Sequence, residues 1–432
     1  MFRWMIRNLQ NPSHPGAIQS RGEPSARKLT KLWILRKARL MGYRAVTTQL
    51  IFLLGVLSAV GLLATAQSSL VDEMTTQERL QKNAWWPTKL SRGSEKYVGT
   101  AVCASCHAEI AKAQATAEMA QSLQQAGRAL PLLTHFGQTI SVDGFSYHLT
   151  GNADGAGFAV RVGNDTVSKP LVWAFGSGKL SQVYMTPEKD GFNESHFSWF
   201  DAVRGFDITP AQPALRVEAS SVQGSGDALK RASGRTVAAT EIRRCFACHA
   251  ANVPAEGPIV GFQAGVTCET CHGPGVAHSA AEQAELPQAG ALTLNPAHLR
   301  PVDQVDFCGA CHATSMDVQM SGIPGMPSVR FPAYRLQNSR CWSNDARITC
   351  TACHDPHRPL VHDSSSYDRK CLACHLQSAK AMVNADHPGH ACPVAQNNCT
   401  NCHMPKYEFP DVHHKFTDHE IRIVRQGPPF PP

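Results

Sequence analysis

Seven copies of one five-residue string constrain this chain more than its length does. Cys103-Ala-Ser-Cys-His107 stands alone upstream. Cys245-Phe-Ala-Cys-His249, Cys268-Glu-Thr-Cys-His272, Cys308-Gly-Ala-Cys-His312, Cys350-Thr-Ala-Cys-His354, Cys371-Leu-Ala-Cys-His375 and Cys399-Thr-Asn-Cys-His403 then crowd residues 245–403. At these amino-acid frequencies about 0.03 such strings would arise by chance. C-x-x-C-H is the attachment signature of c-type haem: two thiols three positions apart each form a thioether to one porphyrin edge, and the following imidazole reaches the iron. A zinc ribbon takes its C-x-x-C pairs two at a time and has no reason for a His after each. A redox C-x-x-C would occur once, near a βαβ pattern. The expected cofactors are therefore seven covalently bound c-type haems. Their thioethers fall on Cys103, Cys106, Cys245, Cys248, Cys268, Cys271, Cys308, Cys311, Cys350, Cys353, Cys371, Cys374, Cys399 and Cys402. Their proximal ligands are His107, His249, His272, His312, His354, His375 and His403.

Spacing bears on the fold. From Cys245 to His403 there are about 26 residues per motif, too few for a conventional apolar core. The sequence predicts a mainly α chain with little regular structure, wrapped around stacked c-haems that are themselves the core. Four segments are expected: a leader (1–66), an N-terminal segment with the first haem (67–129), a β-rich insert and linker (130–240), and a six-haem cytochrome domain (241–432). The small antiparallel β insert between the first and second haems is read from alternation at Phe145, Tyr147 and Leu149 and at Phe158, Val160 and Val162, and from the turn signal Asp190-Gly191. Ala108–Gln125 lacks Gly and Pro up to its end and reads as a helix. Ser220–Gly234 is rich in Ser and Gly and reads as a linker.

The formal net charge of +7 is concentrated in the leader. Residues 1–66 hold ten Lys/Arg and one acid, which leaves 31 bases against 33 acids elsewhere. Nucleic acid is thus not an expected partner. Leu50–Leu63 is an unbroken apolar and small-residue run, preceded by bases and followed by Ala64-Thr-Ala66, the pattern of a secretory signal peptide. A signal beginning at Met41 would be complete by itself, so the true start is placed there or at Met1. Export to the periplasm or another extracytoplasmic compartment is expected, with membrane association only if the leader is retained. Two cysteines remain outside the motifs, Cys341 and Cys392, a disulfide candidate in such a compartment.

A haem with two protein ligands shuttles electrons, whereas one with an open face can bind a small molecule. Twelve histidines of residues 67–432 lie outside the motifs, enough to close seven irons. His357 in His354-Asp-Pro-His357 and His278 in His272-Gly-Pro-Gly-Val-Ala-His278 follow tight turns and suit a neighbouring iron. His413 and His419 come next, with His414 competing with His413. One of His387 and His390, which flank Pro388-Gly389, is expected to ligate, and His298 is a weaker candidate. Met119 is a candidate thioether ligand for the first haem. Asp355 and Asp418 are candidate acceptors from ligand imidazoles. No motif replaces the proximal His with Lys, and no Ser-His-Asp set, phosphate loop or H-E-x-x-H string points to other chemistry.

These stretches resemble exported multihaem c-type cytochromes related to the tetrahaem electron acceptor of hydroxylamine oxidoreductase. The likeness is carried by Tyr97-Val-Gly-Thr-Ala-Val-Cys-Ala-Ser-Cys-His107, Thr267-Cys-Glu-Thr-Cys-His-Gly-Pro-Gly-Val-Ala-His278, Cys350-Thr-Ala-Cys-His-Asp-Pro-His357, Cys399-Thr-Asn-Cys-His-Met-Pro-Lys406 and Phe416-Thr-Asp-His419. Phe175-Gly-Ser-Gly178 and Asp207-Ile-Thr-Pro210 are similar to the β insert of that family. The resemblance covers about residues 95–425. It implies mostly bis-His haems in packed pairs, with His278, His357, His413 and His419 as distal ligands. Glu118-Met119 stands where relatives often place the ligand of the first haem. The family includes enzymes acting on nitrogen and sulfur oxyanions, so the resemblance does not separate carrier from catalyst.

The expected function is electron transfer between redox partner proteins: a quinol-oxidising membrane complex on one side, a terminal reductase or another cytochrome on the other. The alternative is a reductase or oxidase of nitrite, hydroxylamine or a sulfur oxyanion at one five-coordinate haem, under Cys103 or Cys245. A lesser alternative is the subunit of a conductive haem filament.

Overall fold

The computed structural model describes residues 97–424, except 153–154, 190, 215–224, 323–324, 340, 343–347 and 376–391. The leader lies outside the described residues. No helix among the described residues is long and apolar enough to cross a membrane.

Residues 123–237 form two antiparallel sheets. One joins β2 (Thr139–Val142), β3 (Phe145–Asn152), β4 (Gly155–Val162) and β5 (Asp165–Leu171) in sequence order. The other has the order β1 (Leu123–Gln125), β6 (Trp173–Phe175), β7 (Ser181–Glu188), β8 (Gly191–Phe200), β10 (Arg235–Val237), with β9 (Gly205–Ile208) also paired to β8. Alternate side chains on a strand share one face. Phe145, Tyr147 and Leu149 of β3 and Phe158, Val160 and Val162 of β4 are all buried. They meet Tyr184, Phe197 and Trp199 of the second sheet in one apolar cluster. Phe197 is its hub, 4.9 Å from Tyr147, 5.3 Å from Phe158 and 5.9 Å from Tyr184 between ring centroids. The buried phenol of Tyr147 donates to the Ala232 carbonyl at 2.9 Å, so its burial leaves no orphaned hydroxyl. Strands β7 and β8 pair as far as Glu188 opposite Gly191.

Two stretches differ from the sequence reading. The helix expected over Ala108–Gln125 ends at Gln114. Beyond it the Met119 carbonyl accepts from Val266 N–H and the Ser122 carbonyl from Gly176 N–H, and Leu123–Gln125 pairs with Trp173–Phe175. Long-range backbone partners replace the i→i−4 bonds that would have continued the helix. The stretch expected as a linker holds a helix, Ser225–Ala232, whose Leu229 and Ala232 are buried against the sheets. Its Ala228, Leu229 and Ala232 share one face, a helical spacing concealed by Ser and Gly content.

The motif-bearing region is built from short helices. Its elements are α1 (Thr100–Ala104), α2 (Ala239–His249), α3 (Cys268–His272), α4 (Val276–Gln283), α5 (Pro301–His312), α6 (Pro332–Gln337), α7 (Cys350–Cys353), α8 (Asp368–His375) and α9 (Cys399–His403). Helix α2 packs on the second sheet through Ile242 and Phe246, beside Leu123, Phe175 and Met185. Further along, the buried apolar cluster shrinks to Val305, Ala333 and Leu336. Among the described residues two kinds of interior therefore share one chain, an aromatic one between the sheets and a much smaller one among the motif helices. Phe197→Ala should cost about 3–5 kcal/mol in the insert. Denaturant melts followed by far-UV circular dichroism should show that loss as a lower midpoint.

Candidate haem-binding sites

Three pairs of imidazoles lie across a gap. The His107 and His278 ring centroids are 6.5 Å apart with planes inclined by 17°. Those of His272 and His357 are 6.0 Å apart and inclined by 9°. Those of His354 and His419 are 6.2 Å apart and inclined by 47°. An iron held at about 2.0 Å by a nitrogen on each side, each nitrogen about 1.1 Å from its ring centre, needs centroids roughly 6.2 Å apart. All three separations sit at that value, and each pair joins a motif histidine to one outside the motifs.

In four of these six imidazoles Nδ1 also has a carbonyl or carboxylate partner. A metal-ligating imidazole usually gives its second N–H to a carbonyl or carboxylate, which fixes the tautomer and leaves Nε2 free for the metal. Nδ1 of His272 lies 2.7 Å from the Leu294 carbonyl, of His278 3.0 Å from Ala289, and of His419 3.1 Å from Thr417. The motif histidines His249 and His403 show the same arrangement, at 2.9 Å to the Ser122 carbonyl and 3.0 Å to Arg422. His357 Nδ1 is 3.4 Å from the Asp355 carboxylate. Burial holds His272 and His354 below the ordinary histidine range and brings His419 down to about 4. Burial thus favours the neutral form of each, the form that ligates a metal. These residues fit haem iron.

The attachment cysteines are grouped as well. Cys103 lies beside Cys268, Cys308 beside Cys350, and Cys371 beside Cys399. Six of the seven motifs are thus joined as first with third, fourth with fifth, and sixth with seventh. Cys245 of the second motif lies apart, packed beside the aromatic cluster of Phe175, Phe192 and Phe246. Burial pushes its thiol up to about 11.

Other sequence candidates fall elsewhere. His278 occupies the place opposite His107 for which Met119 was a candidate; the Met119 backbone is instead tied to Val266 and Ser122. His413 Nε2 is engaged by the Asp207 carboxylate at 2.8 Å and its ring lies edge-on to Phe200, so it ties the C-terminal segment to β9. His298 is exposed beside Asn295. His387 and His390 lie outside the described residues. Cys341 and Cys392 are free thiols: Cys341 is near Cys353 and Cys374, whereas Cys392 is held by the Val394 and Ala395 amides.

Asp418 does not accept from an imidazole. It is fully buried and takes a two-pronged ion pair from Arg335, both contacts at 2.8 Å, and another from Arg422 at 2.6 Å. Burial alone would raise its carboxyl, but Arg335, the Glu420 amide and Arg422 together hold it below the ordinary carboxylate value. Ser339, one turn after Arg335, donates to the His419 carbonyl and accepts from Ile421 N–H, each at 2.8 Å. Helix α6 and the residues after it therefore grip both sides of His419. Sequence reasoning missed Arg335 and Ser339, since their partners are about 80 residues away.

Residues 215–273 match the family model described as cytochrome c554 and c-prime. That segment contains the second and third motifs, so the match supports a multihaem c-type cytochrome. Curated proteins give no match. Among solved structures, the crystal structure of the outer cell wall cytochrome OcwA aligns over 76% of this chain and 80% of that one, at 13% identity and a TM-score of 0.45. That likeness is too distant to carry weight.

His278→Ala, His357→Ala and His419→Ala should each convert one haem from low to high spin with haem content unchanged. Electron paramagnetic resonance of the oxidised variants, with a haem assay alongside, reads both quantities.

Proposed function

We propose that this chain is an exported heptahaem c-type cytochrome that carries electrons between redox partner proteins through closely packed, mostly bis-His haems. The observation that carries the reading is the set of three imidazole pairs spaced for an iron. The haems supply the one-electron chemistry. The chain's own residues close the irons on both faces, fix the imidazole tautomers and set attachment points side by side.

The pairs also suggest how the sites are linked. His278 follows the third motif and faces the first motif's His107. His357 follows the fifth and faces the third motif's His272. His419 follows the seventh and faces the fifth motif's His354. Each segment lends a ligand to an earlier site, so neighbouring haems share the segments that hold them. Sites built this way suit short electron hops. The small apolar cluster around Val305 supports porphyrins as the missing core, with the motif helices arranged around them. The leader supports an extracytoplasmic location, where a quinol-oxidising membrane complex would deliver electrons and a terminal reductase or another cytochrome would accept them.

A redox titration of the purified cytochrome tests this reading. All haems should reduce and reoxidise reversibly, and the reduced protein should stay reduced in the presence of nitrite, hydroxylamine or sulfite. Multiple turnover of any of the three would make the protein an enzyme instead.

A further inference from the structure

At each of the three cysteine pairings, a buried polar side chain on one motif helix grips the beginning of the other. In the first pairing this is Glu269, which directly follows Cys268 and is 2% exposed. Its carboxylate accepts from the backbone N–H groups of Val98 and Gly99, both at 2.8 Å, just before helix α1. It also accepts from Gly275 N–H at 2.8 Å, just before helix α4, which carries His278. Gly275 packs so closely on Val98 that an added Cβ would come within 2.8 Å of Cγ2. One carboxylate thus fixes both the first attachment helix and the helix that brings the distal histidine to His107.

The second pairing uses Gln304, four residues before Cys308 and also 2% exposed. Its Oε1 accepts from the Thr351 hydroxyl at 2.9 Å and the Thr351 amide at 3.4 Å, inside helix α7, while its Nε2 donates to the Pro296 carbonyl at 3.0 Å. The third uses Asp368, three residues before Cys371. Its carboxylate accepts from the Asn398 and Cys399 amides, at 2.7 and 2.9 Å, at the start of helix α9. Contacts with those amides hold its carboxyl below the usual carboxylate range. The three grips come from different positions relative to their motifs, yet each crosses the same junction.

We propose that Glu269, Gln304 and Asp368 are positioning residues that set the approach of the two haems within each pair. The proposal rests on the reading that all seven motifs carry haem. A short helix such as α1, α7 or α9 has few intrahelical hydrogen bonds and little apolar surface to dock it. Fixing its first amides from the partner helix removes the freedom that would let the two attachment points drift apart. A buried carboxylate that meets several amides is well compensated, and loses that compensation if the helices separate.

The test uses the full-length cytochrome with Glu269→Ala, Glu269→Gln, Asp368→Ala and Asp368→Asn. Close haem pairs give an exciton couplet in the circular dichroism of the Soret band, so this signal reads haem–haem geometry directly. Each alanine variant should lose the share of one pair, about a third of the couplet if the separate pairs contribute additively. The amide variants keep an acceptor and should restore most of it. Haem content should stay at seven and the far-UV spectrum should match the parent. In Glu269→Ala the first haem should also gain high-spin character, since His278 loses its support; Asp368→Ala should not do this. Parental couplets in both alanine variants would overturn the proposal. So would equal loss in alanine and amide variants, which would mark an effect of charge. Fewer than seven haems in the parent would overturn the haem reading itself.

Discussion

Three imidazole pairs that span long sequence distances are the feature around which the motif region is arranged. His107 pairs with His278, His272 with His357 and His354 with His419. An iron joining each pair, as proposed above, would close a long loop, and such a cross-link restricts the unfolded chain in proportion to the logarithm of the loop it closes. On the function proposed above, covalent attachment on one side and an imidazole from a later segment on the other would do for this region what an aromatic core does for the insert. Among the described residues, eighteen buried ones form the cluster of the two sheets, whereas three form the cluster around Val305.

Ligation alone does not set the distance between sites, and the polar contacts address that. Glu269, Gln304 and Asp368 each bond across a pairing, while Arg335, Ser339 and Asp418 hold the segment that presents His419. All six side chains are buried. Buried ionised groups are tolerated only when well paired, and here their partners are backbone amides at helix starts or opposite charges in two-pronged contact. The same Asp418–Arg422 contact lies beside the Arg422 carbonyl that orients His403. The fifth and seventh sites therefore share one supporting segment, as the first and third share Glu269.

The C-x-x-C-H strings were legible in the sequence because their meaning lies in local spacing, and the family match over residues 215–273 supports c-type haem. His278 and His357 were legible as ligand candidates because tight Gly-Pro and Asp-Pro turns hold them near a motif. His413 illustrates the limit of such reasoning. Its sequence context is as favourable as that of His419, yet Asp207, more than two hundred residues earlier, engages it. At Met119 too the local context is not decisive, because His278 reaches the place opposite His107 from another segment. In the insert, alternation at Phe145, Tyr147 and Leu149 marked a buried strand face. The stretch after Gln114 was misread because its partners at Gly176 and Val266 are distant in sequence. Glu269 and Asp368 gave no local signal: acidic residues beside a cysteine motif are common, and only the fold brings them to another helix.

The central claim is that seven covalent haems complete this chain. Intact-mass spectrometry of the protein matured in a host with c-type haem attachment machinery tests it most directly. The account predicts seven haem increments on each chain, all retained after acid–acetone extraction. A chain carrying no haem increment, or losing its haem to the extraction, would contradict it.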